Sequence, residues 1–460
     1  MRRVERSDRV HAADNGPGLV LGACLLLIAA ACDAPKTPAP NATPTPIATP
    51  TPSPTPTPSP TATPSPTAAS PGAPVERTRT GSKAVDQFAG GSGAPATPAA
   101  PAESDEALVK AMEDARVRLG TWVQDGAGDP KVAWALAHGL VGFGKDFHAT
   151  DRRLAIDVIV TDFAELKTVG SKKRIYFPKK TKEGRPLEPH TSLMVKSLLE
   201  AEVPRDRLFE VKGLGKVPLS RIAEDVLAEI ERPSTEAEWQ DFAWSLTALL
   251  LYYKDQAQPK GAPNEIQKKL VTLSLETIAY LEGQQAFLVE AMETHHPERV
   301  EKRKQFIFAH TCGGTHLIQA AVRAAVFVGT PEVKARVKKQ LQILLFRHQA
   351  ERRIYTEALA KAPNYALILH TQELKFFGHV LETFALAEPL GMTEGSPEEH
   401  AQLSLVAKDL IQAVNVLGPA YHQLGPIRAE REQTYLDLIG DGCHAMRGLR
   451  QGIVALFRHG

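Results

Sequence analysis

The chain has 460 residues, with 54 Lys and Arg side chains against 53 Asp and Glu. This balance argues against a nucleic-acid-binding protein, because such a protein needs an excess of basic side chains to contact phosphate groups. Proline is distributed unevenly, since 18 of the 35 prolines lie between positions 35 and 101. The sequence therefore contains two parts of different composition, and its overall averages describe neither.

Residues 1–31 are typical of a bacterial lipoprotein signal peptide. Four arginines precede an apolar run over residues 19–28, which is short for a membrane span, and three alanines follow it. Cys32 comes next, as in a lipobox, where this cysteine becomes the lipidated first residue of the mature chain. The alternative is an ordinary signal peptide with an incidental cysteine. We predict an exported lipoprotein of the bacterial cell envelope, anchored through Cys32 in either the inner or the outer membrane.

Residues 32–103 are predicted to be a disordered tether and linker. In the stretch from 35 to 74, 15 of 40 residues are proline, mostly alternating with Thr or Ser. Proline has no N–H group to donate and fixes φ, so this stretch cannot form a helix or a central strand. It is expected to be an extended polyproline II spacer that holds a folded domain away from the membrane.

Residues 104–460 are predicted to form an all-α domain. Apolar residues recur at helical spacing throughout, as in Leu108, Met112 and Leu119, and Thr235 with Glu238 has the spacing of a capping box. Strand-like alternation is confined to residues 174–177 and 209–211.

Six predicted helices each contain a small or polar cluster with a histidine or serine, followed by apolar residues. The marked positions are His138, His190, Ser245, His316, His379 and His444, spaced by 52 to 71 residues. More highly charged amphipathic helices lie between them. Helices that are apolar nearly all round are buried, and helices with a charged face are not. This alternation predicts an α/α toroid of about six helical hairpins, with the histidines near the N-terminal ends of the inner helices. A generic helical solenoid or an irregular bundle is the alternative.

The segments Cys312–Ala320, Phe377–Glu382 and Gly442–Met446 resemble inner-helix starts of uncharacterised exported bacterial proteins related to the α/α-toroid superfamily of terpenoid cyclases and prenyltransferases. The resemblance implies a toroid with a site in its central cavity, and it implies no particular activity. Terpenoid cyclases carry an acidic cluster that is not evident here. Lanthionine cyclases carry a Cys-His-Gly element, which is present only as Cys443-His444-Ala445.

The marked helices supply nitrogen and sulfur donors of the kind that zinc prefers. We expect the metal ligands, if zinc binds, among Cys312, His316, His379, Cys443 and His444, with His138 and His310 as further binding residues. The spacing matches no standard zinc motif. The two cysteines could instead form a disulfide, which export permits, or pack as core residues.

Two other functions are compatible with the sequence. A glycan-acting hydrolase or lyase would use carboxylates, for which Glu373 and Asp441 are the catalytic candidates, or a His/Tyr pair, with Trp244 and Tyr421 as sugar-binding surfaces. A non-catalytic binding or scaffold protein of the cell envelope would need only the shape of the ring and a surface for a partner. The sequence leaves open whether the protein is an enzyme, and whether its ligand is a small molecule or a glycan.

The lipid anchor can be tested by substitution of its predicted attachment site. We expect Cys32→Ala to abolish labelling of the full chain by a fatty-acid probe in the native host, because it removes the predicted lipobox thiol; Cys24, after Leu21-Gly-Ala, is a second possible lipobox with a very short apolar run. Cys443→Ala is the control and should be labelled like the wild type. Equal labelling of Cys32→Ala and the wild type would rule out this anchor.

Overall fold

The structure is a computed structural model that describes residues 105–254 and 264–457. The predicted signal peptide, Cys32 and the tether lie outside these residues. The described part is mostly helical, which confirms the all-α prediction at the level of fold class. Within it, no helix combines the length and the apolar character that a membrane span requires.

The described residues form thirteen α-helices. These helices, α1 to α13 in chain order, are Asp105–Ala127, Ala133–Phe143, Ala155–Phe163, Leu193–Glu200, Leu219–Leu227, Glu236–Tyr253, Glu265–Glu293, Thr315–Val328, Pro331–Lys361, Ala366–Ala387, Pro397–Tyr421, Leu424–Glu430 and Glu432–Gly452. Short 3₁₀ turns separate several of them, and a π-helical turn, Ile453–Phe457, follows α13.

Local sequence signals fix where several helices begin. The predicted capping box is confirmed at the start of α6, where the Thr235 hydroxyl accepts from the Glu238 N–H and the Glu238 carboxylate accepts from the Thr235 N–H. Thr330 caps α9 in a similar way, and Pro331 follows it at the first helical position, where its missing N–H costs nothing. These ends are specified locally, before any tertiary contact.

Two small antiparallel hairpins interrupt the helices, and each includes one of the predicted strand segments. Strands β1 (Glu165–Val169) and β2 (Lys172–Tyr176) form the first, and β3 (Leu208–Val211) and β4 (Gly215–Pro218) form the second. The first hairpin buries Ile175 of β2, and the second buries Phe209 and Val211 of β3. The hairpins therefore pack against the helices as small accessories and do not form a sheet layer.

The helices that carry the predicted marked segments contact one another in a closed cycle. In this cycle α2 contacts α4, α4 contacts α6, α6 contacts α8, α8 contacts α10, α10 contacts α13, and α13 contacts α2. Five of the six marked residues lie within these helices, and His190 lies just before α4. The remaining long helices, α1, α7, α9 and α11, pack against members of this cycle.

Helix α9, outside the cycle, begins with one buried face and one charged face. Val333 and Val337 are buried there, whereas Glu332 and Lys339 are exposed. Farther along α9, most residues from 340 to 351 are buried, as are most residues from 376 to 387 in α10. In α9, the expected contrast with helices that are buried all round is therefore limited to the first turns.

Helices α10 and α13 approach each other unusually closely through small residues. A Cβ atom on Gly448 would lie 2.7 Å from the Gly378 carbonyl oxygen, and one on Gly378 would lie 2.9 Å from the Ala445 Cα atom. Both distances are shorter than side-chain carbons tolerate, so glycine is required for this packing. The contact determines the separation of the histidines that follow Gly378 and precede Ala445.

This packing predicts opposite effects for two glycine substitutions. Gly448→Ala should lower the free energy of unfolding by about 2 kcal/mol, because the added methyl group meets the backbone of α10. Gly283→Ala, on an exposed part of α7 with open space around it, should raise it by about 1 kcal/mol through helix propensity. Denaturant unfolding measures both effects. Equal effects of the two substitutions would contradict the close packing.

Candidate functional site

Four of the marked histidines converge inside the cycle of helices. The ring centroids of His316, His379 and His444 lie 4.7, 4.2 and 5.2 Å apart, and the His138 ring lies 5.3 Å from that of His444. His316, His379 and His444 are all buried. Side chains from four helices that are distant in sequence therefore form one imidazole cluster.

The predicted position of these histidines along their helices is wrong in part. His316 does lie in the first turn of α8, but His379 and His444 lie near the middle of α10 and α13. The expected concentration of helix N-termini around the cluster is therefore limited to α8. The environment of the other histidines is set by side chains.

A single buried carboxylate, Glu382, orients two of the histidines. Its Oε2 atom is 3.1 Å from His379 Nδ1 and 2.9 Å from His444 Nδ1. A carboxylate oxygen can only accept, so both imidazoles donate through Nδ1–H and carry their lone pair on Nε2. A histidine held in this way by a carboxylate presents a basic nitrogen that is well suited to bind a metal.

A left-handed turn places Cys312 beside the cluster. Cys312, Gly313 and Gly314 have φ values of 52°, 60° and 75°, immediately before α8 begins. Glycine adopts this conformation readily, whereas it is strained for a cysteine. A Cβ atom on Gly313 would also lie 3.0 Å from the Arg347 guanidinium. The two glycines therefore allow the chain to turn sharply and bring the Cys312 thiol toward His316.

Two groups of donor atoms come close enough to hold one cation. Cys312, His316 and His379 each offer one donor atom, and these lie within 4.8 Å of one another. His379, Glu382 and His444 form a second group with the same limit. In the second group, the hydrogen bonds to Glu382 already account for the proximity. The first group combines a thiol with two imidazoles, the donors that zinc prefers, and is the better candidate.

Unsatisfied nitrogen atoms support the first group. Among the described residues, His316 Nδ1 and His379 Nε2 are buried and have no hydrogen-bond partner. Buried polar atoms without a partner are costly and therefore rare in folded proteins. Both atoms belong to residues that offer donors beside Cys312. A ligand bound by these nitrogens would satisfy them.

The electrostatic environment keeps the cluster in the protonation state that metal binding needs. Burial, with a contribution from the nearby His444, lowers the pKa of His379 to about 4. Burial also holds the pKa of His316 well below its usual range. For Glu382, burial alone would raise the pKa, but His444, His379 and Arg447 together hold it well below its ordinary value. His316 and His379 are therefore neutral beside an ionised Glu382.

Cys443 does not take part in either group of donor atoms. It is fully buried, and a Cβ atom on Gly142 of α2 would lie 3.3 Å from its own Cβ atom, so it faces that helix. Burial, reinforced by the charge of Asp441, raises the pKa of its thiol. Both Cys312 and Cys443 are thiols, and neither forms a disulfide within the described residues. Cys443 has the environment of a core residue.

The predicted binding residues separate into two sets. His138, a member of the cluster, donates to the Trp134 carbonyl oxygen, and its ring lies 3.9 Å from the Trp134 ring. Trp244 borders the cluster, because its ring lies 4.7 Å from the His316 ring. Tyr421 is buried, and its hydroxyl donates to a main-chain carbonyl in α13. This bond gives Tyr421 a structural role and leaves it no exposed face for a ligand.

His310 has a partner outside the cluster. Its Nε2 atom lies 3.2 Å from the Tyr280 hydroxyl. Burial lowers the pKa of His310 to about 4. The side chain therefore anchors the 3₁₀ segment before Cys312 to α7.

The two predicted catalytic carboxylates have different partners. Glu373 pairs with His370 at 2.6 Å, within the same helix, and Asp441 lies 3.4 Å from the Lys375 ammonium group. Burial raises the pKa of Asp441 to about 7. Each carboxylate thus has a local partner.

Sequence reasoning missed the role of Glu382 and of the charged residues beyond it. The sequence did indicate contact between Glu382 and His379, because the two residues are three positions apart and residues at this spacing share a helix face. It identified His190 but missed its partner Asp241, whose carboxylate lies 2.9 Å from His190 Nδ1; the His190 ring also stacks on Trp244 at 3.8 Å. The spacing from 190 to 241 gives no such signal in sequence.

Comparison with known proteins adds no identification. No family model, no curated protein and no solved structure matches this chain.

The raised pKa of Asp441 predicts a pH-dependent effect of its replacement. The carboxyl group is ionised above about pH 4 when unfolded but only above about pH 7 when folded, so wild-type stability falls as the pH rises through that window. Asp441→Asn removes this titration. Its unfolding free energy relative to the wild type should therefore rise by about 2 kcal/mol between pH 5 and pH 8. A difference that stays constant across this range in denaturant unfolding would contradict the assignment.

Proposed function

We propose that this protein is an exported lipoprotein of the bacterial cell envelope whose helical domain is an α/α toroid that holds a metal ion at its centre. Zinc is the ion that the donor set favours. The observation that carries the proposal is the convergence of donor atoms from Cys312, His316 and His379 within 4.8 Å of one another. The lipid anchor at Cys32 and the tether rest on the sequence alone.

The toroid is supported by the closed cycle of contacts. Six helices that alternate in sequence with outer helices each contact the next member of the cycle, and the last, α13, contacts the first, α2. A solenoid would leave its first and last units apart. The contact between α2 and α13 therefore favours a ring over the open alternative.

The donor chemistry favours zinc over harder cations. Zinc in proteins takes cysteine sulfur and histidine nitrogen in tetrahedral sites, whereas magnesium and calcium take oxygen ligands. Cys312 supplies the sulfur, and His379 supplies an Nε2 lone pair oriented by Glu382. Glu382 then acts as the outer carboxylate of a carboxylate–histidine–metal arrangement.

The number of protein ligands decides what the metal would do. Three ligands, Cys312, His316 and His379, leave one tetrahedral position for a water molecule or a substrate, as in catalytic zinc sites. In such a site zinc lowers the pKa of the bound water toward 7. His444 would close the site and make it structural if its Nε2 occupied the fourth position. We favour three ligands, because Cys312, His316 and His379 form one group of close donor atoms, whereas His444 belongs to the group that Glu382 holds together by hydrogen bonds.

The glycan-acting alternative has less support from the geometry. Glu373 is held by His370 and Asp441 by Lys375, and Tyr421 is occupied by a main-chain carbonyl. A glycosidase needs two carboxylates that face one bond from opposite sides. The purely scaffolding alternative leaves the unsatisfied histidine nitrogens unexplained.

The metal site predicts different consequences for the two cysteines. The purified full chain should bind about one equivalent of zinc, and Cys312→Ala should weaken this binding strongly because it removes the sulfur ligand of the proposed site. Cys443→Ala is the matched control and should bind zinc like the wild type. Metal content after dialysis and competition with a chelator measure both.

Cobalt substitution provides an independent readout of ligation. Co²⁺ in the wild type should show a thiolate-to-metal absorption band that disappears in Cys312→Ala and persists in Cys443→Ala. His444→Ala should retain the tetrahedral cobalt spectrum if three protein ligands suffice. No bound metal in the wild type, or the same affinity in Cys312→Ala, would refute the site.

A further inference from the structure

A second polar site lies at the C-terminal ends of three helices of the cycle. A pocket of about 240 Å³ opens between the C-terminal ends of α2, α4 and α13. Its lining includes Ser197, Glu200, Arg447, Arg450 and Gln451. This volume is many times what one water molecule needs, and most of the named side chains are polar. The pocket is therefore built to hold a small polar ligand.

Positive charge predominates around this pocket. Glu200 is almost fully buried and is contacted by three cations, Lys196 at 2.6 Å, Arg323 at 3.2 Å and Arg447 at 3.1 Å. Its carboxylate is thus already neutralised, and the pKa of Glu200 is held below its usual range despite burial. Arg450 adds a fourth cation at the wall of the pocket.

The lining of the pocket carries Arg447 and Arg450 beside two carboxylates, Glu200 and Glu202. Glu202 is exposed to solvent, and Glu200 is also contacted by Lys196 and Arg323, which do not line the pocket. Glu382 accepts from two histidines and lies 3.4 Å from Arg447, so it is shared with the imidazole cluster. The buried carboxylate of the pocket is therefore compensated without Arg450.

An unsatisfied hydroxyl provides an independent indication of a ligand. Ser197 is 1% exposed and lines the pocket, and within the described chain its Oγ atom has no hydrogen-bond partner. A serine in a helix can usually bond to the carbonyl four residues earlier, so an unpaired buried hydroxyl is unusual. An oxygen atom of a ligand in the pocket would accept from it.

The pocket also compensates for the negative ends of its helices. The C-terminal ends of helices carry partial negative charge, which repels anions. Arg450 donates to the Gly142 carbonyl oxygen at the end of α2 at 3.0 Å and thereby neutralises one such end. An arginine has five N–H donors, so Arg450 retains others for a ligand.

We propose that this pocket binds a small oxyanion, a phosphate or carboxylate group, through the Ser197 hydroxyl and the guanidinium groups of Arg447 and Arg450. Charge-assisted bonds from arginine are the strongest and most specific contacts for such groups. This site is distinct from the metal site, because it uses none of the metal donors and Glu382 separates the two. The ligand would be an anionic metabolite or an anionic group of a larger molecule.

The test uses inorganic phosphate and succinate as probes, titrated into the purified full chain at constant ionic strength. Chelator-treated protein is used, so that failure of the metal site does not affect the result. We expect saturable binding of at least one probe in calorimetry. Arg450→Gln should weaken it about tenfold, and Ser197→Ala about threefold, since each removes one donor. Arg336→Gln is the control, because Arg336 pairs with Glu282 on the outer helices.

The two probes distinguish the two chemical groups, since tighter binding of phosphate or of succinate shows which anionic group the pocket prefers. Ser197→Ala removes a hydroxyl without a partner and should fold normally, so it tests the site even if Arg450→Gln is unstable. Binding of neither probe, or equal weakening by Arg336→Gln and Arg450→Gln, would overturn the proposal. In that case the arginines only neutralise helix ends and Glu200.

Discussion

The close contact between α10 and α13 is the constraint on which the candidate site depends. Gly378 and Gly448 let the two backbones approach to distances that any larger side chain would prevent. His379 follows one of these contact residues, and His444 directly precedes Ala445. The histidine rings are therefore held 4.2 Å apart, close enough for one Glu382 oxygen to accept from both. The imidazole cluster is thus a consequence of backbone packing.

Glu382 also connects the imidazole cluster to the buried charges around Glu200. Its Oε2 atom faces the two histidines, while Oε1 faces Arg447. Arg447 in turn contacts Glu200, which is held by Lys196 and Arg323. Removing one member of a buried ion pair commonly costs about 3–5 kcal/mol, because its partner stays buried and uncompensated. This network therefore links α4, α8, α10 and α13 electrostatically as well as by packing.

Sequence patterns predicted the helices and their burial well, because amphipathic spacing and capping residues are local signals. The geometry of the predicted ligand set depends on more than these local signals. Successive residues in a helix point about 100° apart, so His444 and Cys443 cannot both face the same centre. Cys312 lies before α8, in a left-handed turn, and not in the helix that carries His316. Its proximity to the histidines depends on that turn, which spacing alone does not reveal.

The positions of the histidines along their helices illustrate the same limit. The sequence contains small residues just before His379 and His444, and these suggest helix starts. In the structure Gly378 instead marks where α10 packs against Ala445 of α13, while Gly442 packs against Tyr421 and Val123, and each helix begins about a dozen residues before its histidine. Glycine serves both purposes, since it ends helices and also permits their close approach. Only the partner helix distinguishes the two, and here that partner holds His444 beside His379 and Glu382.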